Sequence, residues 1–108
     1  MDLKSKKCVP CEGGVPKLNK DEITEFRKFI HSSWEVIDNK KLKRSIKFVN
    51  FKHTMEFVNK VAVLAENEGH HPDMFISYGS CIIEQWTHAI NGLSENDFIL
   101  AAKIDELI

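Results

Sequence analysis

The sequence predicts an α+β domain in the order α-β-β-α-β-β-α, a four-stranded antiparallel sheet with three helices packed on one face. Three observations predict it. Apolar residues recur at helical spacing in three separate stretches; they alternate with polar residues at period two in the stretches between; and the alternating stretches come in pairs joined by turn residues. Two hairpins separated by a helix make one sheet, and the helices must cover one of its faces. A chain of 108 residues holds one such core and no second one.

Residues 1–17 read as a flexible N-terminal tail, since Lys4, Lys6, Lys7, Gly13, Gly14 and Pro16 show no period and little to bury; the domain proper is 18–108. Asn19 followed by Glu22 is close to a capping box, with Leu18 and Ile23 at the staple positions. Ile23, Phe26, Phe29 and Ile30 then form one apolar stripe, a helix over about 20–31. Trp34 and Val36, then Leu42, Ile46 and Phe48, alternate with polar residues around Asp38-Asn39-Lys40, a hairpin over about 33–38 and 42–49. From 52 to 68 the helical period returns through Phe57, Val58, Val61, Leu64 and Ala65, with Asn50 as cap. Gly69 stops this helix and Pro72 prevents its resumption. Met74–Tyr78 and Cys81–His88 form a second hairpin, with Gly79-Ser80 as its type II′ loop. Ser94, with Asp97 three residues on, caps the last helix, whose inward residues are Phe98, Ala101, Ala102 and Leu107 or Ile104.

Composition narrows the function classes. Hydrophobic residues make up 43% and charged residues 29%, ordinary for a soluble domain, and the net charge of −1 argues against a general nucleic-acid binder. No apolar run approaches the ~18–20 residues that cross a membrane. The charged start MDLKSKK leads into no apolar stretch, so no secretory signal is expected. Three cysteines are too few for a disulfide scaffold, and a cytoplasmic protein is expected.

Of five histidines, His70, His71 and His88 crowd into 70–88. A Gly79-Ser80 loop would pair Tyr78 with Cys81, setting His71 opposite His88 at about 5 Å between Cβ atoms, and His70 opposite Ala89. The same register puts Met74, Ile76, Tyr78, Cys81 and Ile83 on an apolar side toward the helices. Phe75, Ser77, Ile82, Glu84, Trp86, His71 and His88 take the other side. Three imidazoles suit two tasks, holding zinc or moving protons near an unperturbed pKa of ~6.5, and the spacing leaves both open, although no HExxH or HxH occurs. The plain alternative is a solvated loop. Glu66 can reach His70 across one turn, or simply be solvated. Asp97 is explained by capping. Cys8-x2-Cys11 is half of a zinc site or a redox pair, placed in the tail without the context of either. Trp34 reads as core, Trp86 as core or ligand platform, and His31 and His53 as solvent-facing.

Glu66, His70, His71, Pro72, Tyr78, His88 and Asp97 match, in order and spacing, the signature of the pterin-4a-carbinolamine dehydratases. The segments KFVNFKHTMEFVNKVAVLAE, EGHHPD and WTHAINGLSENDFILAAKID are also similar to that family, and KCVPCEGG resembles the start of its bacterial-type members, so the resemblance covers essentially the whole chain. It implies the same α-β-β-α-β-β-α layer and a lyase that removes water from 4a-hydroxytetrahydrobiopterin to give the quinonoid dihydropterin. It implies no metal or organic cofactor, and a homodimer or homotetramer. It also implies His70 and His88 as acid and base, His71 positioning the pterin with Glu66 orienting, and Pro72, Asp73, Trp86 and Asp97 as wall or support. Competing readings are a protein-binding role as a dimerisation cofactor, which some animal relatives have, and a three-histidine metalloenzyme.

Overall fold

Asn19 and Glu22 form the reciprocal capping box that the sequence predicts. The Glu22 N–H donates to Asn19 Oδ1 and the Asn19 N–H to Glu22 Oε1, each at 2.9 Å. They open α1, Lys20–Arg27, in a computed structural model that describes residues 2–9 and 15–108. The other elements are β1 (Glu35–Ile37), β2 (Lys41–Lys47), α2 (Phe51–Glu68), β3 (Asp73–Ser77), β4 (Ser80–Gln85) and α3 (Glu95–Asp105). Short 3-10 turns lie at Leu3–Ser5 and His88–Ile90. The order and class match the sequence reading.

α1 ends at Arg27 rather than near 31. Arg27 donates to the carbonyls of His31 and Ser32, the His31 N–H donates to Asp105 Oδ2 at 2.8 Å, and the Trp34 indole N–H donates to Asp105 Oδ1 at 2.8 Å. Those bonds to the far end of α3 draw the backbone out of the helix. In the first hairpin Asp38 and Asn39 take left-handed φ of 52° and 55°, which these residue types tolerate. Gly69 ends α2 at φ 67°; an added Cβ there would meet nothing within 4 Å, so its role is conformational alone.

The second hairpin differs in register from the sequence reading. Its loop is Tyr78-Gly79, with Ser77 opposite Ser80 and Met74 opposite Ile83, so every pair is shifted by two residues. Gly79 is not left-handed; it is small because a Cβ would stand 2.9 Å from the Phe48 carbonyl oxygen. The Phe48 N–H also donates to the Gly79 carbonyl at 2.8 Å. A two-residue shift preserves the faces: Met74, Ile76, Cys81 and Ile83 still share a side, while Tyr78 sits exposed in the turn.

The sheet order is β1-β2-β4-β3, all antiparallel. Leu42, Ile46, Cys81 and Ile83 from one face join Phe57, Val61, Phe98, Leu100 and Ile104 from the helices in one buried cluster. Lys47 and Phe75 on the other face are exposed. α3 is buried nearly all round, because Leu3, from the segment read as having little to bury, packs over it at 2% exposure. Trp34 is core, and His31 and His53 are exposed, as expected. Cys8 is buried; Cys11 lies outside the described residues, so the Cys8-x2-Cys11 pair has no geometry to describe. Among the described residues no helix is long and apolar enough to cross a membrane.

Candidate active site

The left-handed Gly69 turns the chain out of α2, and His70 and His71 follow in irregular backbone before Pro72 and the start of β3. Adjacent residues in a regular strand face opposite sides. Here the two rings also find opposite environments.

His70 points inward and is 6% exposed. Its Nε2 lies 2.7 Å from Oδ1 of Asp97, which is fully buried. A carboxylate only accepts, so His70 Nε2 carries the hydrogen. Asp97 Oδ2 accepts from the Thr87 hydroxyl at 2.8 Å and from the Ser94 N–H at 2.9 Å. With its proton given to Asp97, Thr87 Oγ1 is the acceptor of the 2.7 Å contact with Ser94 Oγ. One buried carboxylate thus caps α3, holds the loop after α2 through His70, and holds the end of β4 through Thr87.

His71 points outward. Its Nε2 is 2.7 Å from Glu66 Oε1, and both side chains are largely exposed. The sequence reading offered Glu66 to His70 across one helical turn. Gly69 breaks that turn and gives the carboxylate to His71 instead. Pro72 is half-buried beside the pair, and Asp73 is exposed at the start of β3.

His88 is not on a strand. β4 stops at Gln85, Thr87 makes a single bridge to Gly92, and His88 starts the 3-10 turn. β3 begins only at Asp73, so His71 and His88 are not cross-strand partners, and the expected pairing of His71 with His88 and His70 with Ala89 is absent. Their link is indirect. Asp97 holds His70, next to His71, and Thr87, next to His88. The His88 ring lies tilted by 35° against Trp86 with centroids 4.4 Å apart, and Lys41 Nζ lies 5.1 Å from the Trp86 ring centroid while paired with Glu84 at 2.8 Å. Thr87, Ser94 and Lys41 were missed by sequence reasoning. Only Ser94 left a signal, as the cap of α3.

Among the described residues no three His, Cys, Asp or Glu side chains converge as metal ligands would, so the three-histidine metal reading draws no support from the geometry. Of the two thiols among the described residues, neither is primed for chemistry. Burial, and next the charge of Glu68, push the Cys8 thiol up to about 12, and burial raises Cys81.

Comparison with known proteins places the chain in a family. The sequence profile of the family described as Pterin 4 alpha carbinolamine dehydratase matches residues 16–107. A relative in Rickettsia bellii, provisionally named pterin-4-alpha-carbinolamine dehydratase, is 54% identical over 105 residues, 97% of this chain and 93% of the relative. A Nitrosomonas eutropha relative with the same provisional name is 50% identical over 107 residues, 99% of this chain and 94% of its own. Among solved structures, one described as a transcriptional coactivator/pterin dehydratase from Brucella melitensis superposes with a TM-score of 0.79 at 29% identity, covering 85% of this chain and 98% of that one. A pterin dehydratase-like RuBisCO assembly factor shares the fold alone, with a TM-score of 0.61 at 24% identity over 71% of this chain and 90% of that one. With the profile spanning nearly the whole chain and relatives sharing about half of its residues, the chain belongs to the pterin 4 alpha carbinolamine dehydratase family.

Proposed function

We propose that the protein dehydrates 4a-hydroxytetrahydrobiopterin and that the exposed His71–Glu66 pair handles the proton. The observation that carries the reading is the opposite fate of two adjacent imidazoles. His70 has its Nε2 committed to a buried carboxylate, which suits positioning; His71 stands in the open with a carboxylate behind it, which suits proton transfer. This exchanges the roles that the family resemblance implied for His70 and His71.

The reaction breaks the C4a–O bond and the N5–H bond. The leaving hydroxyl must gain a proton and depart as water, while N5 loses one, so the total number of protons on the protein is unchanged and exchange with solvent water resets the donor and the acceptor. His71 gives a proton to the hydroxyl as C4a–O lengthens, and Glu66, bonded to Nε2, orients the ring and leaves Nδ1 to face the substrate. His88, whose ring packs against Trp86, takes the N5 proton as the second proton carrier. Trp86 lines the site and holds the His88 ring. Each proton assist is worth roughly 10²–10⁴-fold, or about 3–5 kcal/mol. Pro72 and Asp73 shape the wall beside His71, and Asp97 holds the loops on which both histidines stand.

The direct test is dehydration of synthetic 4a-carbinolamine by the purified protein. Turnover well above the spontaneous rate is expected, and turnover equal to the spontaneous rate would remove the dehydratase reading.

The same reading takes the protein as a cytoplasmic homo-oligomer, a dimer or tetramer. The free edge strand β3, with Phe75, Ile76 and Tyr78 exposed along it and at its turn, supports self-association. Light scattering should give a mass of two or four times the 12.4 kDa chain; a monomer at all concentrations would reject it.

A further inference from the structure

We propose that the N-terminal segment Leu3–Val9 is a positioning strap for the active site, one that sets the His70–Asp97 hydrogen bond by holding the end of α2 against the start of α3. The proposal rests on the reading that this bond belongs to the dehydratase site.

Two consecutive peptide groups bridge the two helices. The Cys8 N–H donates to Glu68 Oε1 at the end of α2, at 2.8 Å. The Val9 N–H donates to Asn96 Oδ1 at the start of α3, at 2.9 Å, and Asn96 Nδ2 donates back to the Val9 carbonyl at 2.7 Å. The Cys8 thiol donates to the Asn96 carbonyl at 3.6 Å. Further out, Lys7 Nζ donates to the Asn67 carbonyl and Lys6 Nζ pairs with Glu95. Buried Leu3 anchors the other end of the segment against α3.

Every gripped residue is a near neighbour of the site. Asn67 and Glu68 lie between Glu66 and His70, and Glu95 and Asn96 immediately precede Asp97. The His70–Asp97 bond crosses the same gap that the Cys8–Val9 backbone crosses. Asn96 is itself buried, so its paired bonds to Val9 form a fixed clamp in place of a solvent-exchanging contact. Loosening the clamp lets α2 and α3 shift against each other, and a displacement of about 1 Å at a catalytic group can cost as much as 10²-fold in rate.

The test uses the full chain with Leu3→Asp, which removes the anchor without touching a site residue. Two readouts are followed: kcat and KM for the 4a-carbinolamine, and solvent exchange of the His70 Nε2 proton by ring-nitrogen NMR. The expected result is a fall in kcat of about ten-fold with KM within about two-fold, and exchange of the ring proton faster by about ten-fold, while amides of the β2–β4 ladder keep their protection. Leu3→Ile should restore both. Unchanged kcat and ring exchange would overturn the proposal. So would ladder amides that accelerate in step with the ring proton, because the segment would then add only general stability. If Leu3→Asp fails to fold, Leu3→Ala carries the same readouts and the same criteria. Absence of turnover in the unmodified protein would strike the dehydratase reading instead, and the ring-proton exchange would still decide whether the strap acts on His70.

Discussion

Asp97 joins a helix cap to the candidate active site through its two oxygens, and the two roles were unequally visible in the sequence. Its place three residues after Ser94 identifies the cap, because capping is a local matter of spacing. The bond from Oδ1 to His70 depends on how α3 crosses the end of α2, and no local pattern encodes that crossing. Glu66 is the converse case. Its nearness to the histidine pair was legible, but which ring it meets turned on the left-handed Gly69. Gln85 was not legible at all. It is 1% exposed, and among the described residues neither Nε2 nor Oε1 has a hydrogen-bond partner. Burying an amide without partners costs about 1–3 kcal/mol. Gln85→Leu, of similar volume, should therefore raise unfolding stability by about 1 kcal/mol or more in urea titrations; a loss of stability would mean that the amide has a role this account does not give it.

At the scale of elements, periodicity and caps located all three helices and both hairpins, while their ends were decided elsewhere. α1 stops early because Asp105, distant in sequence, takes the His31 N–H and the Trp34 indole. The second hairpin shifted by two residues because Gly79 serves a close approach to Phe48 in place of a left-handed turn. The burial of Leu3 and Cys8 in the N-terminal segment was not legible, because each is a single residue with no period to read. Glu68 gives that segment a pH dependence. Burial raises its carboxyl, but the Cys8 N–H and Lys103 outweigh this and leave it below the ordinary value of 4.5. A depressed carboxyl contributes stability that is fully present above the ordinary value and lost as pH falls through the folded one. Hydrogen-exchange protection of the Cys8 amide should hold above the ordinary carboxyl value of 4.5 and decline as the pH falls below it, and Glu68→Gln should flatten that dependence. A decline in protection that survives Glu68→Gln would assign it to another group.

At the scale of the whole molecule, a sheet with one face covered by helices leaves its loops to build the site. The turn after α2, the end of β4 and the start of α3 meet at Asp97, which fixes the residues beside His71 and His88 without touching either. On the proposed function that arrangement separates stability from chemistry: the buried pair sets geometry, and the exposed pair is left to exchange protons with substrate. The measurement that tests this most directly is the dehydration rate of synthetic 4a-carbinolamine with His71→Ala, beside the unmodified protein at equal concentration and with circular dichroism confirming the same fold. The account predicts a loss of about 10²-fold or more, the share of one proton-transfer group; turnover within about two-fold of the unmodified protein would contradict it.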